Sequence, residues 1–201
     1  MSSSSSSRLE GYPSIESGSL GSGSLFHPDI DWSVPPYCDA FIHEKLDGSN
    51  LTLRVEEEDD GKRTPTFYNG KKLIREVKEG ATYAPTVRVL SATSIVQKAH
   101  TGWDYCGESQ PRLKTNIVQY ERLPPLFFSV FDIRDENGTH LSATECATEC
   151  DRMGFFWIVP KWVSKGEAPG LVIPRLLGEI ESGVWVSILG GTPEGFLFKC
   201  H

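Results

Sequence analysis

A lysine attacks an electrophile only as the free amine, and at an ordinary pKa of about 10.4 that form is scarce near neutral pH. In the segment Glu44-Lys45-Leu46-Asp47-Gly48-Ser49-Asn50, one lysine stands where the strand-like run Phe41-Ile42-His43-Glu44 enters a glycine turn, beside a carboxylate. A strand end in a cleft supplies desolvation and charged neighbours, so Lys45 is the candidate nucleophile. Taken alone, K-x-D-G is more often a solvated lysine before an Asp-Gly turn, because so short a pattern recurs by chance. Glu108 and Glu194 alone are ordinary strand-end carboxylates, and Phe131 alone is an ordinary aromatic of an apolar strand. Their joint meaning depends on the elements that carry them.

Leu51-Thr52-Leu53-Arg54-Val55 alternates apolar and polar residues, which makes the stretch around Lys45 a strand, a tight turn and a second strand. The acidic run 56–60 with Gly61 and Lys62 reads as a solvated loop, and Thr66-Phe67-Tyr68 before Asn69-Gly70 as a hairpin edge. Val87, Leu90, Ile95, Val96 and Ala99 after Pro85 predict a helix reaching about Ala99. Residues 103–108 and 126–133 read as strands, the second apolar enough to be buried on both faces. Ser142 and Glu145 form a capping-box pair that opens a helix, which Gly154 ends after Met153. A third helix is predicted over 175–182, stopped by Gly183, and a strand over 195–199 follows the Gly190-Gly191 turn. Long-range strand pairing with interspersed helices gives an α+β class.

The chain has 201 residues and 38% hydrophobic content, enough for one core. Residues 1–25 are dominated by serine and glycine and bury too little apolar surface to offset their ordering entropy. Disorder is expected there, with Tyr12-Pro13-Ser14-Ile15 able to dock locally, and 26–201 is expected to be the folded domain. With 27 acidic and 20 basic residues the net charge is −7, which excludes a simple coating protein for a polyanion and confines any nucleic-acid contact to a local patch. Five cysteines at irregular spacing suggest neither a disulfide framework nor a zinc module; Cys146 and Cys150 read as two small residues one helical turn apart. No apolar run approaches the roughly 18 residues of a membrane span and no signal peptide is seen, so an intracellular, cytoplasmic setting without membrane contact is expected.

Four segments in order then carry a resemblance. Lys45-Leu46-Asp47-Gly48, Tyr105-Cys106-Gly107-Glu108 with Lys114-Thr115-Asn116 and Tyr120-Glu121-Arg122-Leu123-Pro124, Phe127 to Ile133, and Glu194-Gly195-Phe196-Leu197-Phe198-Lys199 together resemble the ATP-dependent RNA ligase family of covalent nucleotidyltransferases. The resemblance spans about 12–199 and implies an ATP-grasp-like nucleotidyltransferase core of antiparallel sheets with flanking helices. It implies that Lys45 attacks the α-phosphorus of ATP, releasing pyrophosphate and forming lysyl-AMP, and that AMP then passes to an RNA 5′-phosphate for displacement by a 3′-hydroxyl. Glu108 would hold the ribose hydroxyls and Phe131 would stack on adenine, a contact of about 1–3 kcal/mol. Glu44, Asn50 and Lys199 would join the nucleotide contacts, with Lys199 near the α-phosphate. Mg2+ or Mn2+ would sit at Glu194, with Asp47 assisting the metal or the later sealing step. Ser49-Asn50 after the glycine is similar to RNA-joining enzymes, which makes RNA ends the expected partner.

Two departures follow. Asn69 stands where the family commonly has arginine, so Asn69 and Lys71, or Lys72, would supply that phosphate or ribose contact without arginine's bidentate fork. A final motif with two lysines is expected some tens of residues beyond Glu194, whereas the sequence stops at His201. Loss of a cation facing the transition state costs orders of magnitude in rate, so weak or absent adenylylation is expected of this polypeptide, as a fragment or a shortened relative. The competing readings are a nucleotide- or RNA-binding module without chemistry and a capping-type guanylyltransferase.

Overall fold

The computed structural model describes residues 40–78, 80–160, 162–164 and 169–200. The serine- and glycine-rich start and the 12–15 stretch lie outside the described residues. Two sheets carry the architecture. One has six strands: β2 (Ser49–Glu57), β3 (Arg63–Asn69), β4 (Lys72–Leu73), β5 (Asp104–Ser109), β6 (Phe128–Arg134) and β7 (Phe156–Trp157), in the order β4-β3-β2-β5-β6-β7. The other has three strands: β1 (Ala40–Lys45) in the middle, flanked by β8 (Trp162–Ser164) and β9 (Gly195–Cys200). All pairings are antiparallel except β6 with β7. The α+β core of largely antiparallel sheets is therefore present.

Period-two patterning decides which side chains face the site. Leu51, Leu53 and Val55 of β2 are fully buried in the main core, with Phe67, Tyr105, Phe128, Val130 and Ile133. Asn50, Thr52 and Arg54 therefore point from the opposite face of the sheet, as do Asp104, Cys106 and Glu108 of β5, which pair with them. A bulge between Cys106 and Gly107 leaves Phe131 unpaired in the ladder and re-aims it into a second cluster with Leu46, Cys106, Tyr120, Ile158 and Leu189. Gly107 is required there, because a Cβ would stand 2.5 Å from the Ser129 carbonyl oxygen and 2.6 Å from the Phe128 ring.

The helix expected from Pro85 to Ala99 is two: α1 (Ala84–Leu90) and α2 (Thr93–Lys98), separated at Ala92, whose ψ of 137° is extended. Val87, Leu90, Ile95 and Val96 still reach one core, so the apolar spacing was a guide to burial and not to continuity. The capping box closes as read: Ser142 Oγ accepts from Glu145 N, Glu145 Oε2 accepts from Ser142 N at 2.8 Å, and α3 (Ala143–Met153) ends at left-handed Gly154. Cys146 and Cys150 lie buried on its inner face. The third helix, α4 (Pro169–Glu181), starts earlier than expected and packs Val172 and Leu176 against Ile42 of β1. β7 and β8 were not foreseen; two- and three-residue strands are too short to show a period.

Candidate active site

Lys45 closes β1 opposite Gly195 of β9, and this register lays Glu194 against it. Lys45 Nζ donates to Glu194 Oε1 in an ion pair whose side chains keep 38% and 23% of their surface open. The pair is thus held by backbone pairing yet can be reached from solvent. Glu44 turns to the other side of the strand, is almost wholly buried, and accepts from Ile188 N at 2.8 Å, tying the loop after α4 to β1.

Asp47 begins the turn toward β2. Its Oδ2 accepts from the backbone N–H groups of Asn116, Ile117 and Val118 at 3.1, 2.6 and 2.8 Å, and its Oδ1 from Asn116 Nδ2 at 2.7 Å. Its own N–H donates to Tyr120 Oη at 2.6 Å. Burial pushes the Asp47 carboxyl up, but the donors from Val118, Ile117 and Asn116 together outweigh it and hold it below the ordinary value. Both oxygens are engaged by the 116–118 loop, so the observed place of Asp47 is that of a loop organiser.

Glu108 lies across from Asn50 on the site face. Gly48 admits it: a Cβ at that position would stand 3.0 Å from Glu108 Oε2, 3.0 Å from the Ser109 carbonyl oxygen and 3.1 Å from Gln110 Cγ. Burial pushes the Glu108 carboxyl up to about 8; the Lys45 charge opposes that rise, and Glu194 and Asp47 add to it. Asn50 Oδ1 accepts from Gly70 N at 3.1 Å, which brings the turn bearing Asn69 and Lys71 to the same end of the sheet. Phe131 is 6% exposed and lies in one buried cluster with Leu46, Cys106 and Tyr120. The backbone of Lys199 pairs with Phe41, four residues along β9 from Gly195.

Gln110 is a site-supporting residue that the sequence did not reveal. Fully buried, it receives Ser129 Oγ at 2.7 Å on Oε1, donates from Nε2 to the Asp47 carbonyl at 3.4 Å, and donates its N–H to the Phe127 carbonyl at 2.8 Å. Nothing in a glutamine after a strand signals this; the contacts span 63 and 19 residues.

The group therefore gathers Lys45 with the acidic side chains of Glu108, Glu194 and Asp47. No cluster of three or more His, Cys, Asp or Glu side chains able to hold a metal by themselves occurs among the described residues. Glu194, partly open, nevertheless suits a hard divalent cation that takes one carboxylate and completes its shell with phosphate oxygens and water.

No family model matches the sequence, and no curated protein matches it. Solved structures do. An archaeal ATP-dependent RNA ligase superposes with a TM-score of 0.60 at 20% identity over 96% of this chain and 45% of that one. A second form of an archaeal ATP-dependent RNA ligase gives 0.55 at 19% identity over 83% and 40%. A Naegleria gruberi RNA ligase variant with ATP and Mn gives 0.54 at 17% identity over 81% and 47%. The chain thus spans less than half the length of each of these neighbours. Its fold is similar to part of the fold of these ATP-dependent RNA ligases.

Proposed function

We propose that this domain binds ATP and transfers AMP to Lys45, as the first step of an RNA-joining reaction. The observation that carries the reading is the placement of Lys45 opposite Gly195 across β1 and β9, ion-paired to Glu194, while Glu108 approaches over Gly48. Nζ must lose its proton before its lone pair can attack; a phosphorus–nitrogen bond then forms at the α-phosphate, the bond to the bridging oxygen breaks, and pyrophosphate leaves. The chain's own residues set the geometry. β1 fixes the approach of Lys45, Gly48 gives Glu108 room to meet ribose hydroxyls, and Asp47 with Gln110 locks the turn between them. A divalent cation held by Glu194 would neutralise charge on the triphosphate.

A second reading has its own observation. Lys45 Nζ donates to Glu194 Oε1, so in this arrangement the nitrogen is engaged by a carboxylate and not directed at an electrophile. If nothing separates the pair, the domain binds nucleotide without transfer. Intact-mass measurement after incubation with ATP and Mg2+, and with GTP in parallel, separates these. An AMP-sized increment absent from Lys45→Ala supports transfer; ATP binding with no increment supports the binding module; a GMP increment replaces ATP by GTP; neither increment nor nucleotide binding overturns the proposal.

A further inference from the structure

Charge is sorted along the six-stranded sheet. β2 starts, β3 ends, β4 starts and β5 ends at the edge where the 47–50 turn lies. Two surface segments frame that turn. Residues 70–78 and 80–82 dock on one flank through Gly70 N to Asn50 Oδ1 at 3.1 Å and Ser49 Oγ to Thr82 Oγ1 at 2.7 Å. Residues 110–118 dock on the other through Gln110 and Asn116 to Asp47 and Gly48. The first segment carries Lys71, Lys72, Arg75 and Lys78 against the one described acid Glu76, and the second carries Arg112 and Lys114, all exposed. Among the described residues none of these cations has an ion-pair partner.

Several cations elsewhere are committed, while Lys62, Arg88, Lys98 and Arg122 lie outside these two segments with no ion pair among the described residues. Arg54 and Arg134 share Asp104, Arg152 pairs with Glu149, and Arg63 pairs with Glu57. The acidic run 56–60 occupies the opposite end of the β2–β3 hairpin, about 25–30 Å away at strand rise. A chain of net charge −7 thus keeps unneutralised positive charge at the rim of the Lys45 site and sends its densest negative charge to the far end.

We propose that 71–78 and 112–114 form a docking rim for the phosphodiester backbone of a single-stranded nucleic acid, leading its 5′-phosphate end toward Lys45; the direction of travel rests on the reading of that site given above. Compact anions are held by convergent, desolvated donors, whereas flexible exposed cations spread over two segments suit a linear polyanion. The rim supplies affinity without reading bases, and its binding falls with salt. It also resolves the mismatch between overall acidity and a polyanionic partner, because the attraction is local.

The test uses a 5′-phosphorylated RNA oligonucleotide, the DNA of the same sequence, and polyglutamate, with affinity measured by fluorescence anisotropy across a salt series. Lys72→Ala/Arg75→Ala is compared with Lys62→Ala/Lys98→Ala, which removes the same charge from sites outside the rim. Loss of two phosphate contacts flattens the slope of log affinity against log salt by about 1.4 and lowers affinity by about tenfold or more at low salt. The control pair leaves the slope in place. Equal losses in both variants, no RNA binding by the unmodified protein, or equally tight polyglutamate binding overturns the rim; equal binding of RNA and DNA upholds it as a backbone reader. The AMP adduct is measured on the same samples: an adduct without a rim effect sinks only the docking proposal, and a rim effect without an adduct sinks only the transfer reading.

Discussion

Replacing Glu108 by Gln removes a carboxylate that the fold makes hard to ionise, and the consequence is a change in how stability varies with pH. In the folded chain burial raises the Glu108 carboxyl to about 8 from an ordinary 4.5, against the opposing pull of Lys45. The unfolded chain releases this proton near the ordinary value, so between the two the folded state binds more protons and stability falls as pH rises. Below about 4.5 the acid is neutral in both states, and above about 8 the whole cost of the buried charge is present. Each pKa unit is worth about 1.36 kcal/mol; the carboxylate is half-buried, and allowing one to two units to survive water access gives about 1.4–2.7 kcal/mol. Glu108→Gln is nearly isosteric and has no proton to lose, so it escapes that decline. Urea midpoints of both proteins from pH 5 to 8.5, without nucleotide, should diverge by this amount, the variant being more stable at the alkaline end. A gap that stays constant with pH would refute the assignment of a raised carboxyl at this position.

Asp47→Ala leaves the Asn116, Ile117 and Val118 N–H groups without their acceptor and should cost about 2–3 kcal/mol in denaturant unfolding, with faster amide exchange confined to that loop. Because the folded Asp47 carboxyl lies below its ordinary value, its contribution is complete above the unfolded pKa and lost as pH falls through the folded one, so the deficit of the alanine variant should shrink in acid. Gly107→Ala drives a methyl into Ser129 O and the Phe128 ring and should destabilise by about 1–3 kcal/mol in thermal unfolding; an unchanged melting temperature would contradict the packing at the bulge.

What could be read from residues alone was what short-range physics determines. The β2 alternation, the Ser142–Glu145 cap and the Asn69-Gly70 turn each announce themselves within a few positions, and each is where it was expected. The break at Ala92 could not be seen, because it redirects α2 over the same core that a continuous helix would have met. Lys45, Glu108 and Glu194 stood out as a set through their resemblance to a known order of segments, while their mutual placement depends on two ladder registers that no local window contains. Gln110 and the engagement of Asp47 by residues 116–118 were hidden for the same reason.

Those two registers belong to different sheets, and this has a consequence for how the site is assembled. Lys45 and Glu194 are aligned by β1 and β9, whereas Glu108 and Asn50 are aligned by β5 and β2. Only residues 46–48 join the two sets along the chain, and each of them is fixed from outside: Leu46 by the cluster containing Phe131 and Tyr120, Asp47 by the 116–118 loop, and Gly48 by close approach of Glu108 and Gln110. A turn held at every position transmits displacement instead of absorbing it. Movement of the 110–118 segment, as when a strand engages Arg112 and Lys114, would therefore shift Asp47 and with it the distance between the nucleophile and the carboxylate expected to hold the ribose. On this geometry, RNA bound at the proposed rim is expected to change the yield of the Lys45 adduct, and Asp47→Ala should weaken that change even where ATP binding survives; an RNA effect of the same size in the variant would refute the coupling.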